Sequence, residues 1–178
     1  TREKIYREDL RIAYVGSLFS YKGSDTLYAL SRLVDYKLDI YTKDLSPLPT
    51  DIRTHSKTSF VAHESIGDLL LQYDVGFVLL ENTKTEEDVS KYTSPLKLFE
   101  FLAAGLLVFC TDCDVLREVV SEDEVVFVRN NADEIISKLR YYSDNPEKRR
   151  IKSLNAIKLS YDYSYNKRST KIHEFSFS

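Results

Sequence analysis

Short apolar runs alternate with helically spaced stretches along most of the chain. Residues 11–16 (RIAYVG) and 37–41 (KLDIY) read as the first two strands, and 58–62 (TSFVA) as the third. Residues 74–80 (DVGFVLL) form the fourth, apolar on both faces as a central parallel strand is. Residues 106–110 and 125–128 supply the fifth and sixth. Helices are predicted between them at 24–34, where Leu27, Leu30, Leu33 and Val34 share a face, and at 65–73 and 115–120. From Ala132 onward the pattern is helical only, broken by Asp144-Asn-Pro146 into helices at 135–142 and 147–159. A last helix is expected at 165–175, capped by Ser164. Residues 46–50 hold two prolines and read as loop, and 81–91 as a charged loop.

Strands alternating with helices predict an α/β fold: a doubly wound, Rossmann-like parallel sheet of about six strands with helices on both faces. Ligands of such sheets bind beyond the carboxyl ends of the strands, near the switch in strand order. Two loops lie at that edge, residues 16–23 after the first strand and the segment after the fourth.

The second loop leads into residues 92–105, YTSPLKLFEFLAAG. Ser94 suits an N-cap and Pro95 the first helical position, where its missing N–H costs nothing. Gly105 suits the position past the helix end, where positive φ is common. Leu96, Phe99, Leu102 and Ala103 fall on one face and are expected to be buried. Lys97 and Glu100, three apart, are neighbours on another face. Free amides at the helix start favour an anion, and Lys97 adds a full charge there. Glu100 accepts hydrogen bonds when ionised, as a ribose diol requires. Taken alone, the pair also fits a surface ion pair of little consequence. The first loop, GSLFSYKG, has neither a dinucleotide fingerprint nor a P-loop. Gly16 permits close backbone approach, and Lys22 brings a second cation to a helix start. A glycine turn with a solvated lysine fits these residues equally.

Composition narrows the classes. The chain has 178 residues, 43% hydrophobic and 30% charged, as one soluble globular domain would have. A net charge of −3 with scattered basic residues leaves no nucleic-acid footprint. No apolar run reaches the ~18 residues of a membrane span. Cys110 and Cys113 give no disulfide framework, which favours a reducing, cytoplasmic setting. Their C-x-x-C spacing closes a strand-like run instead of opening a helix, so Cys110 reads as a buried strand residue. Asp112, Asp114 and Glu118 read as helix-start charges, and no metal cluster is evident. The chain opens on Thr and contains no Met, so it is expected to be part of a longer protein.

Together, residues 16–23 and 94–105 resemble the C-terminal lobe of the family 4, group 1 retaining glycosyltransferases of GT-B architecture. Val108 to Asp112 with Leu116-Arg-Glu-Val119 resembles the strand and helix that follow that family's donor-site helix. The resemblance runs from about Arg11 to about Phe175. It implies a hexosyltransferase of polysaccharide biosynthesis, moving sugar from a nucleoside diphosphate donor, UDP- or GDP-linked, to a glycan or lipid-linked glycan with retention. No cofactor or metal is implied. By the resemblance Lys22 and Lys97 meet the diphosphate, beside amides of the Pro95–Lys97 turn, which Leu96 and Lys97 must supply. Glu100 binds the ribose hydroxyls and, with the two lysines, makes up the catalytic set. Gly16, Ser17, Tyr92, Thr93, Ser94, Pro95 and Leu96 complete the donor site. Residues 63–66 would lie near the nucleobase, although His63 itself reads as an exposed loop histidine.

Two positions depart from the family. Ser17 stands where it has an arginine, and Tyr92 where it has the first glutamate of its E-x7-E motif. Lys97 is positioned to replace the missing cation. Tyr92 fits either a sugar contact or a loop packing residue.

The resemblance also sets the domain plan: linker at 1–10, donor-binding lobe at 11–161, and a tail at 162–178 that packs on an N-terminal acceptor lobe. That lobe would precede Thr1, would carry any peripheral membrane contact, and its absence would leave this lobe inactive. Tyr161, Tyr163, Tyr165, Phe175 and Phe177 form either a surface for that partner or an ordinary packed tail. Two rival functions remain open on sequence: a GT-B sugar-nucleotide epimerase, and a non-catalytic nucleotide-binding module.

Overall fold

The computed structural model describes residues 10–19, 23–32, 36–44, 46–51, 61–80 and 96–163. Its strands are β1 (Arg11–Val15), β2 (Lys37–Tyr41), β3 (Val75–Val78), β4 (Leu107–Thr111) and β5 (Val125–Val128). Its helices are α1 (Ser24–Ser31), α2 (His63–Leu70), α3 (Leu96–Ala103), α4 (Asp114–Arg117), α5 (Ala132–Asp144) and α6 (Pro146–Asp162). All strand pairs are parallel, in the order β2-β1-β3-β4-β5. The chain runs from β1 outward to β2 and returns past β1 to β3. The switch in strand order therefore falls between β1 and β3.

Side chains of successive strand residues point to opposite faces, and the core divides accordingly. On one face Ile12, Tyr14, Phe77 and Phe109 pack with Leu27 and Leu30 of α1 and with Ile135 and Leu139 of α5. On the other, Ala13, Val78, Val108 and Phe127 pack with Leu70 of α2, Leu98, Phe101 and Leu102 of α3, Leu116 of α4 and Ala156 of α6. Helices cover both faces, as the alternating pattern predicts.

Three expectations are corrected. The sheet has five strands among the described residues, not about six. Residues 58–60 of the expected third strand lie outside them, and Val61 and Ala62 lead directly into α2. That helix starts at His63, two residues early, with Ala62 at its N-cap. The inward face of α3 is also different. Leu98, Phe101 and Leu102 are buried, whereas Leu96 is 65% exposed, Ala103 is exposed and Phe99 is half-buried. The run LKLFEFLAA offers two apolar faces at helical spacing, and docking on the sheet selects one. Gly105 does follow α3 with φ 65°, as its place past the helix end requires.

The carbonyl groups on the outer edge of β5 are covered by lysines. Lys152 donates to Val125 O at 3.0 Å and Lys138 to Phe127 O at 2.6 Å. Such capping hinders a second strand from pairing there. Burial pushes the Lys152 ammonium below its ordinary pKa.

Candidate functional site

The carboxyl ends of β1 and β2 are tied by Gly16, whose N–H donates to Tyr41 O at 2.9 Å. Gly16 has φ 141°, a conformation that side chains rarely adopt. The loop beyond it is held by Tyr14, whose hydroxyl donates to Ser17 O at 2.7 Å. Leu18 turns into the core and Phe19 stays 53% exposed. A cleft of about 570 Å³ opens beside this loop, lined by Gly16, Ser17, Phe19, Tyr41, Asp44 and Ile66 among others.

Helix α3 brings its lysine to the same place. Lys97 Nζ lies 4.1 Å from the centre of the Tyr14 ring. A β-carbon placed on Gly16 would sit 2.7 Å from that nitrogen. The glycine thus leaves the space that the ammonium occupies. The loop after β1 and the helix after β3 meet at the switch point, as their places in the sequence predict. Glu100, one turn on, is 30% exposed, and its Oε1 lies 3.6 Å from His63 Nδ1 at the start of α2. His63 is 82% exposed, as expected, but it opens α2 instead of lying in a loop, and it stands next to the Glu100 carboxylate.

Of the sequence-derived site residues, Gly16, Ser17 and Lys97 meet at this edge, and Glu100 lies one turn further along α3 beside His63. Leu96 opens α3. Lys22, Tyr92, Thr93, Ser94 and Pro95 lie outside the described residues. Sequence reasoning missed Tyr14, which reads as an ordinary strand residue, and the contribution of Tyr41 at the end of β2 and Asp44 beyond it. No motif signals either.

The floor of the cleft is braced from below. Tyr73 donates to Asp39 Oδ2 at 2.6 Å, and the Tyr41 and Tyr73 hydroxyls lie 2.5 Å apart. Burial first, then the hydrogen bond to Asp39, pushes the Tyr73 phenol far above its ordinary pKa. The exit of β3 has its own clasp. Leu80 N–H donates to Thr111 Oγ1 at 2.9 Å, Thr111 Oγ1 donates to Asn130 Oδ1 at 2.9 Å, and Asn130 Nδ2 donates to Leu80 O at 2.8 Å. Both main-chain groups of the residue leading into the 81–95 segment are thereby satisfied.

Cys110 is fully buried on β4, and burial raises its thiol pKa. This matches the buried-strand reading. Among the described residues no group of three or more His, Cys, Asp or Glu is arranged to hold a metal. Among them, too, no helix is long and apolar enough to cross a membrane.

A family model described as "Glycosyl transferase-like" matches residues 22–174. No curated protein sequence matches the chain significantly. Solved structures share the fold at low identity. Sucrose-phosphate synthase from Thermosynechococcus elongatus is 16% identical with TM-score 0.75, the match covering 96% of this chain and 45% of that one. HepE from Anabaena, solved with UDP and glucose, is 12% identical with TM-score 0.70, covering 96% and 49%. The C-terminal domain of a group 1 glycosyl transferase, LpcC from Francisella tularensis, is 14% identical with TM-score 0.63, covering 88% and 87%. The chain thus spans less than half the length of the synthase and of HepE, but nearly all of an isolated C-terminal domain. The family match runs through the helix of Lys97 and Glu100 and most of the sheet, so the chain belongs to the glycosyl transferase-like family, with the fold of a group 1, GT-B C-terminal lobe.

Proposed function

We propose that this chain is the donor-binding lobe of a retaining glycosyltransferase that moves a hexose from a nucleoside diphosphate sugar to a glycan or lipid-linked glycan. One observation carries the reading: Lys97 lies over the β1 loop at the switch point, with Glu100 one turn along the same helix and a cleft of about 570 Å³ alongside. The diphosphate takes the ammonium and the first-turn amides of α3, with Lys22 as a second cation. Glu100 accepts from the ribose hydroxyls. The base enters the cleft, where Phe19, Tyr41 and Ile66 offer apolar surface. Gly16 and Ser17 lie along the diphosphate, and Tyr92, Thr93, Ser94 and Pro95 complete the donor site by the family resemblance. HepE, a relative in fold, is solved with UDP-glucose, which favours a sugar nucleotide as ligand.

In retaining transfer, positive charge grows at the sugar carbon and negative charge on the departing diphosphate. Fixed positive groups at the leaving oxygen stabilise that change without a covalent intermediate. Lys97, Lys22 and the amides serve this role, and the proposal invokes no cofactor. A second lobe holds the acceptor and completes the site. Polysaccharide biosynthesis at the cytoplasmic side of a membrane suits a lipid-linked acceptor.

Thermal unfolding with UDP and GDP tests the proposal. One of the two raises the melting temperature, and Lys97→Ala or Glu100→Ala removes the rise. No shift with either nucleotide would overturn it.

A further inference from the structure

Tyr14 joins the two halves of the candidate site. It is 1% exposed, yet both ends of its side chain act at the sheet edge. Its hydroxyl donates to Ser17 O at 2.7 Å and so sets the path of the loop after β1. Its ring lies beneath Lys97 Nζ, 4.1 Å from the centroid. Gly16 supplies the gap between them, since a β-carbon there would be 2.7 Å from Nζ and 3.8 Å from the Tyr14 hydroxyl oxygen. An aromatic face attracts an ammonium through its quadrupole. Unlike a carboxylate, it orients the cation without cancelling the charge that a diphosphate needs.

We propose that Tyr14 is a positioning residue for nucleoside diphosphate binding, its ring holding the Lys97 ammonium over the β1 loop while its hydroxyl fixes that loop. The inference rests on the donor-site reading above. Tyr14 touches no ligand; it acts through Lys97 and Ser17.

A double-mutant cycle on the full chain, read by calorimetric titration with UDP and GDP, separates the possibilities. Lys97→Ala alone tests the donor-site reading: if it leaves nucleotide affinity unchanged, that reading fails. Where Lys97→Ala does weaken binding, the Tyr14 variants test this inference. Tyr14→Leu, which removes the ring, is expected to weaken binding about two- to thirtyfold, the range of a cation–π contact. In the Lys97→Ala background Tyr14→Leu and Tyr14→Phe, which both lose the hydroxyl bond to Ser17, are expected to bind within about twofold of each other, because the ring's route through Lys97 is gone. Tyr14→Phe keeps the ring and is expected to keep the Lys97 contribution, which guards against Tyr14→Leu failing to fold. Equal losses from Tyr14→Leu with and without Lys97 would overturn the inference. So would loss of the Lys97 contribution in Tyr14→Phe.

Discussion

Replacing Gly16 by alanine strains the junction between the two halves of the site in two separable ways. The new methyl would lie 2.7 Å from Lys97 Nζ and 3.0 Å from its Cε. These atoms end a flexible side chain, so the lysine gives way before the backbone does. The first cost is conformational. A φ of 141° is rarely adopted by a residue with a β-carbon, and such positions cost about 1–3 kcal/mol of stability. The second falls on binding. A hydrogen bond to a charged group contributes about 1.5–3 kcal/mol, so displacing Lys97 raises the nucleotide dissociation constant roughly ten- to hundredfold. Urea unfolding reads the first cost and calorimetric titration with UDP or GDP the second. In a Lys97→Ala background the stability loss persists and the binding loss shrinks to what the methyl costs at the diphosphate beside Gly16. Gly67 provides a control in α2, where a β-carbon meets nothing within 4 Å. Gly67→Ala is expected to stabilise by about 0.5–1 kcal/mol. A Gly16→Ala protein with unchanged urea midpoint and unchanged affinity would refute the reasoning.

Asn130→Ala opens the clasp at the exit of β3, breaking its bonds to Leu80 O and Thr111. At about 0.5–1.5 kcal/mol per bond, the expected loss is roughly 1–3 kcal/mol in urea unfolding. Glu134 gives a pH dependence. Its carboxyl lies 2.8 Å from Lys138 Nζ, and that hydrogen bond is the main cause holding its pKa below the ordinary 4.5. The contact therefore stabilises fully above pH 4.5 and is lost as pH falls through the depressed value. Glu134→Gln is expected to flatten that part of the stability profile, and an unchanged acid limb would count against the pair.

The strands were legible where burial leaves a run of apolar residues whatever the helices above it do. Residues 74–80 and 106–110 are of this kind, and β3 and β4 fall within a residue or two of the expected positions. The break before Pro146 was also legible, because proline tolerates only the start of a helix. The face of α3 was not. Leu96, Phe99 and Ala103 match helical spacing as well as Leu98 and Phe101 do, and only packing on the sheet decides between them.

Much of the site followed from topology. A lysine three residues before a glutamate, after the strand beside β1, had to arrive at the β1 loop once the order β2-β1-β3 was set. The aromatic support under Lys97 did not follow, because a buried tyrosine in a strand carries no mark of what lies over its ring. The cleft beside Tyr41 likewise depends on the spacing of β2 and α2, which no local pattern encodes.

The central claim is that a nucleoside diphosphate binds at the carboxyl end of β1. Amide chemical shifts of the labelled chain, followed while UDP or GDP is added, test it directly even for weak binding. The account predicts that the largest changes fall on Gly16 to Phe19, Thr42 to Asp44 and the Lys97–Glu100 turn, and that Lys97→Ala suppresses them. Changes centred elsewhere, such as the Lys138 and Lys152 edge of β5, or no changes with either nucleotide, would contradict it.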